Sequence, residues 1–187
     1  MHDLFDSPNV YGGNLFKNHI QWLEKTIRFL DKEKIIYYIK PHPNATRRSR
    51  ELIQKMISKN RLNTKNILNS DINIFKQLEK PRLIITVYGH ISIEAPYYGI
   101  DVVCAGSSPS IAFNFTYSPK NQQEYFNSIH SVMVEGKEKE KPKEDIILAH
   151  LCNKYKNSTV QYKMYIKNPG ESAIDNNVTC MEDLKNK

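Results

Sequence analysis

Leu83-Ile84-Ile85-Thr86-Val87-Tyr88-Gly89-His90-Ile91-Ser92-Ile93-Glu94-Ala95 is the stretch that decides the fold class. A run of β-branched and aromatic residues as apolar as Leu83 to Tyr88 reads as a strand buried on both faces, which belongs in a parallel sheet covered by helices. Gly89 permits a tight turn, Ser92 and Glu94 fall where a helix starts, and Tyr98-Gly99 closes that helix. A second apolar run, Asp101-Val102-Val103-Cys104-Ala105, follows at once.

The same alternation extends towards the N-terminus. Met1 to Gly13 is rich in turn formers and reads as an irregular lead-in. From Leu15 to Leu30 the apolar residues recur at spacings of three and four, with Asn14 as the expected cap, which predicts a helix. Ile35 to Ile39 predicts a buried strand that ends abruptly at Lys40-Pro41-His42-Pro43. A helix over Arg48 to Asn60, a short strand over Lys65 to Leu68 and a short helix over Asp71 to Leu78, capped by Ser70 or Asp71, complete this half.

Beyond Gly106 the pattern weakens to a loop, then a helix over Asn121 to Val134. Glu135 to Asp145 is dense in Lys and Glu and reads as a solvated linker. A further helix is expected from Glu144 to Tyr155. The expected division is one α/β domain over residues 1–134, the linker over 135–145, and a helical, partly disordered tail over 146–187. Strands alternating with helices predict a parallel sheet with helices on both faces. Right-handed crossovers then gather the loops that follow the strands on one edge, where ligands of such sheets bind.

At 187 residues the chain suits one domain with a tail. Its net charge of +7 attracts phosphorylated small molecules, anionic headgroups or nucleic acid alike, although abundant Asn, Ile and Lys fit a compositional bias equally well. Cys104, Cys152 and Cys180 are odd in number and widely spaced, so neither a disulfide framework nor a zinc site is expected. The six histidines share no ligand spacing. With no membrane span and no signal peptide in the pattern, a cytoplasmic location is expected, leaving room for peripheral contact of a basic face with the inner membrane.

Two constellations carry the chemistry. Lys40-Pro41-His42-Pro43 holds an imidazole and an ammonium on a loop stiffened by two prolines, a compact anion site; the plainer alternative is a loop whose prolines end a strand. In Gly89 to Ala95 the amides at the helix start and the Ser92 hydroxyl suit a phosphate, and Glu94 suits the helix dipole or ribose hydroxyls. The plainer alternative there is a cap with no ligand. Gly106-Ser107-Ser108 follows the next strand on the same edge. The sequence holds no P-loop, no GxGxxG after a strand and no Gly-x-Ser-x-Gly elbow. Arg47-Arg48-Ser49-Arg50 lacks the interleaved aromatics of a nucleic-acid motif, so nucleic acid is not an expected partner.

In order and separation these two constellations resemble those of bacterial capsular polysaccharide biosynthesis proteins, including the Kdo-transferase-like and sialyltransferase-like glycosyltransferases of the GT-B type. The matching positions are His42-Pro43, with Lys40 before them, and Ser92, with Gly89 and Glu94-Ala95 flanking. Asp6-Ser7-Pro8, Leu15-Phe16 and Trp22-Leu23 are similar to the segment leading into that family's donor domain.

The resemblance implies a Rossmann-like GT-B half domain in which Lys40, His42, Gly89, His90 and Ser92 surround the phosphates and Glu94 holds the ribose or the sugar. It implies a nucleotide-sugar as substrate, a glycan as acceptor, and neither cofactor nor metal. Because a GT-B enzyme carries its acceptor site on an N-terminal domain, the chain is expected to be a C-terminal fragment, a truncated relative or half of a split enzyme, and no general base is named. A sugar-nucleotide epimerase, a glycerophosphate transferase and a non-catalytic nucleotide-binding fragment are the alternatives.

Overall fold

The computed structural model describes residues 14–42, 45–59, 67–73, 75 and 81–166. Among them the chain is mixed α/β: five helices and a two-stranded parallel sheet. The lead-in before Asn14, Pro43, the first residues of the Lys65 strand, half of the Asp71 helix, Cys180 and the tail beyond Ile166 lie outside the described residues. Two compact units divide the chain, Met1–Lys141 and Pro142–Lys187.

Helix α1 spans His19–Lys32. Its cap is Asn18 rather than the expected Asn14: the Asn18 side chain accepts from the Gln21 amide at 2.8 Å, while the Gln21 side chain reaches back to the Lys17 amide at 2.8 Å. Leu15 and Phe16 therefore precede the helix, and the Leu15 amide instead donates to the Ala105 carbonyl at 3.0 Å. Trp22, Leu23, Ile27 and Leu30 are buried along one stripe of α1.

Residues 35–38 are extended, and Ile39 forms a parallel bridge to Ile67. The expectation of a strand buried on both faces is corrected here. Ile36 is 84 % and Tyr38 59 % exposed, whereas Ile39 is buried, so the segment alternates with the period of a half-buried strand. Helix α2, Arg47–Lys59, matches the helical reading. Its start is held by Thr46, whose hydroxyl accepts from the Ser49 amide at 3.2 Å, and Ile53, Met56 and Ile57 enter the core.

Strand β1, Leu83–Thr86, pairs in parallel with β2, Asp101–Cys104, in the register Leu83 to Asp101 through Thr86 to Cys104. All four β2 residues are buried. The crossover between them is α3, Ile91–Tyr97. Gly99 has φ 73, and the Gly99 and Ile100 amides donate to the Pro96 and Ala95 carbonyls, a Schellman closure that turns the chain straight into β2. Tyr117 adds a parallel bridge to Val103 on the other side of β2.

Helix α4, Gln122–Met133, is capped by Asn121, which accepts from the Glu124 amide at 2.9 Å. It meets α1 through Tyr125, fully buried, whose hydroxyl takes the Trp22 indole N–H at 2.9 Å and pairs with the Thr26 hydroxyl at 2.9 Å. Phe16 packs edge-on against Tyr125 at 5.2 Å. In the second unit, α5 spans Lys143–Ile166 and runs well past the expected end at Tyr155.

The segment read as a solvated linker is tied down before it reaches α5. Lys141 Nζ lies 2.9 Å from Asp101 Oδ1, with their side chains only 10 % and 3 % exposed. The same oxygen accepts from the Lys139 amide at 3.2 Å, and Lys139 Nζ bonds the Asn114 carbonyl and side-chain oxygens at 2.9 and 2.6 Å. Charge density alone cannot distinguish a solvated run from one in which a lysine side chain and a main-chain amide converge on a buried carboxylate. Lys141→Ala strands that carboxylate, and is expected to lower unfolding free energy by about 3 kcal/mol, read as a lower urea midpoint. Lys137→Ala, which removes an exposed pair with Glu135, should leave the midpoint unchanged.

Candidate functional site

The edge where β1 and β2 end is built from three segments: Val87 to Ser92, Ala105 to Thr116, and the approach to α1. The backbone itself draws them together. Ala105 donates to the Thr86 carbonyl at 2.8 Å and its own carbonyl accepts from Leu15. A Cβ on Gly106 would lie 3.0 Å from Asn14 Oδ1, 3.1 Å from the Val87 carbonyl and 3.2 Å from Val87 Cγ1, so a side chain at this crossing of three segments would press its neighbours back by a few tenths of an ångström.

At the turn after β1, Gly89 adopts φ 137, a conformation open to glycine. Its carbonyl accepts from the Ser92 amide at 3.1 Å and from Ser92 Oγ at 2.8 Å. The His90 carbonyl accepts from the Ile93 and Glu94 amides at 2.8 and 3.0 Å. The amides of Ser92, Ile93 and Glu94 are thus engaged by the main chain, and the Ser92 hydroxyl proton is turned inward. Ser92 is fully buried, while the side chains of His90 and Glu94 are exposed at the surface of this turn.

Ser92 belongs to a buried hydroxyl chain that sequence reasoning did not find. Ser108 donates to Ser92 at 2.5 Å, Ser110 to Ser108 at 3.5 Å, and Ser110 pairs with Thr116 at 3.0 Å. All four are at most 2 % exposed. The Ser-rich stretch after β2 was the available signal, but a serine's partner across a sheet edge has no signature in local spacing. Cys104, buried beside this chain, has its thiol pushed up to about 11 by burial, against hydrogen bonds with Ser108 and Ser110 that act to lower it.

Lys40 and His42 stand on a second cluster, following the Ile39–Ile67 bridge. Lys40 Nζ donates to the Ser70 carbonyl at 2.8 Å, joining the ends of the two bridged segments. The His42 carbonyl accepts from the Ala45 amide at 3.0 Å, and the Ala45 carbonyl accepts from Arg50 Nε at 3.0 Å. Arg50 thereby braces the turn that carries His42. The structure thus groups Gly89, His90, Ser92 and Glu94 on one turn and Lys40 with His42 on another, each directly after a parallel pairing.

A small cleft opens between the first of these turns and α1. Asn14, Asn18, His19 and Trp22 form one wall; Val87 and Ala105, the residues directly after β1 and β2, form the other, with Phe16 between. Its cavity volume is about 10 Å³, the space of one water molecule. No cluster of three or more His, Cys, Asp or Glu able to hold a metal ion occurs among the described residues, and no helix among them is long and apolar enough to cross a membrane. Compared with known protein families, with curated proteins and with solved structures, the chain matches none.

Removing the Ser92 hydroxyl leaves the Ser108 proton without its acceptor in a dry site. Ser92→Ala is therefore expected to destabilise the fold by about 1–3 kcal/mol, measured by urea unfolding. The Cys104 thiol is raised from 9.0 to about 11 in the folded chain. A raised acid favours the folded state fully below pH 9, and this contribution is lost as pH climbs from 9 towards 11. Iodoacetamide labelling followed by peptide mass mapping should find Cys104 protected at pH 8 until denaturant unfolds the chain.

Proposed function

We propose that this chain is the donor-binding half of a GT-B-type glycosyltransferase, holding a nucleotide-sugar whose sugar passes to a bacterial capsular or surface glycan. The fold on this reading is Rossmann-like, with the Ile39 and Ile67 segments, β1, β2 and the Tyr117 segment as members of one parallel sheet. In support, every pairing described is parallel, and the crossover between β1 and β2 is a helix.

The observation that carries the reading is the meeting of the loops after β1 and β2 at one edge, locked by Ser92 and Ser108. Ligands of open α/β sheets bind outside the carboxyl ends of the strands. On this reading His90 and Glu94 face the ligand from the Gly89 turn, and Lys40 and His42 contact its phosphates from the turn that follows Ile39. Ser92 acts by fixing the Gly89 turn, since its proton is already given to Gly89. The acceptor glycan and the domain that would hold it are partners of the complete enzyme, and the nucleotide-sugar is a substrate rather than a cofactor.

Isothermal titration of CMP, CDP, UDP, GDP and ADP into the chain tests this. One nucleotide is expected to bind saturably, and His42→Ala and Glu94→Ala to weaken it by roughly tenfold or more each, the worth of one hydrogen bond to a charged group. Absence of binding by all five at millimolar concentration, with the protein folded, sinks the reading. Binding without sugar transfer when a glycan acceptor and a separately supplied N-terminal domain are present would favour a nucleotide-binding module over a transferase.

A further inference from the structure

Helix α5 carries apolar residues on two sides, and its described side chains show different fates for them. Ile146 and Ala149 lie on one side and are 2 % and 1 % exposed. Ile147 and Leu151, one turn apart on another side, are 50 % and 39 % exposed. A surface helix that has buried one stripe is ordinarily polar around the rest of its girth. In α5 the sequence instead carries the outer stripe onward: at about 100° per residue, positions 155, 162 and 166 fall on the arc begun by Ile147 and Leu151, and they hold Tyr155, Tyr162 and Ile166.

Charge decides what could cover that arc. Between Asp145 and Glu171 the chain holds Lys154, Lys156, Lys163 and Lys167 and no acidic residue, so all 20 of its Asp and Glu lie outside this stretch. By the same rotation Lys156 and Lys163 fall beside the outer arc. A second copy of the helix would bring the same excess of lysine to the seam, where paired helices need opposite charges on their flanks. An anionic lipid surface supplies the missing countercharge and an apolar layer beneath it. Tyrosine suits that boundary, with a ring for the acyl side and a hydroxyl for the wet side. No helix among the described residues is long and apolar enough to cross a membrane, so the fitting geometry lies along the surface.

We propose that α5 rests on the surface of an anionic bilayer, seating the arc that starts at Ile147 and Leu151 at the acyl boundary while Lys156 and Lys163 meet the headgroups. The proposal goes beyond the nucleotide reading and does not depend on it, since calorimetry with nucleotides and binding to vesicles can each succeed or fail alone.

The test is flotation of the full chain with vesicles of phosphatidylcholine alone and of phosphatidylcholine mixed equally with phosphatidylglycerol, at physiological salt. The chain is expected to float with the anionic vesicles and to stay behind with the neutral ones. Lys156→Gln with Lys163→Gln should weaken the partition about thirtyfold, and Ile147→Ser with Leu151→Ser at least about tenfold. Lys32→Gln with Lys120→Gln removes the same charge from exposed positions outside α5 and should leave the partition unchanged. Urea midpoints show whether each variant is folded, and the Lys156 and Lys163 variant, which removes no apolar contact, decides the matter if the Ile147 and Leu151 variant fails to fold.

The proposal is overturned if the chain ignores anionic vesicles, or floats as well with neutral ones. It is equally overturned if the Lys32 and Lys120 variant loses as much as the Lys156 and Lys163 variant, because the attraction is then one of net charge. A chain that does not float, yet sediments as a dimer that Ile147→Ser with Leu151→Ser dissociates, gives the arc to a second copy instead.

Discussion

Two strands that lie side by side and run the same way cannot be joined by a hairpin, and in this chain the parallel pairing of β1 with β2 governs what surrounds it. The chain must return from the end of Thr86 to the start of Asp101, and it does so through the seven residues of α3. Both strands then end on the same side. Because β2 is buried along its whole length, its flanks must be covered, and Tyr117 and α4 supply part of that cover. The carbonyl of Ala105, one residue past β2, fixes the entry to α1. The edge that gathers the candidate residues is thus a geometric product of the pairing.

Packing this tight forces polar groups into dry surroundings, and the chain meets that cost by pairing them. Tyr125 is the clearest case: its hydroxyl serves both Trp22 and Thr26, so one buried oxygen fastens α4 to α1. Burial pushes the Tyr125 hydroxyl far above the usual tyrosine range, which keeps it neutral and able to hold both partners. Asp101 is the charged counterpart, and it draws Lys139 and Lys141 inward from a run that the sequence presents as fully hydrated. At the opposite extreme, Arg28 with Glu24 and Arg47 with Glu51 are exposed helical pairs of little consequence for stability.

What was legible in the sequence follows the range of the forces involved. Helix α2 could be read because Ile53, Met56 and Ile57 recur on one face, and the turn after β1 because Gly89 and Ser92 announce it locally. The closure of α3 at Tyr98-Gly99 was equally visible. The α1 cap was misplaced by four residues, since Asn14 and Asn18 are chemically alike and only the pull of the Ala105 carbonyl on Leu15 decides between them. Exposure of Ile36 and Tyr38 was hidden because an apolar run does not reveal which of its faces finds a partner. The contacts of Ser108 with Ser92 and of Asp101 with Lys139 were invisible for a related reason: each is made with a residue far along the chain, and spacing carries no record of it.

The buried hydroxyl chain has a direction, and a single atom imposes it. A carbonyl oxygen can only accept, so the proton of Ser92 must point at Gly89. Each serine has one proton to give. Ser92 therefore receives from Ser108, whereas either oxygen can donate in the bond between Ser110 and Thr116. The Ser92 and Ser108 O–H dipoles are aligned head to tail, with Gly89 as the fixed anchor. Turning the Ser92 proton back would set it against that of Ser108, so the polarity of this pair inside the edge is written by the backbone of one glycine.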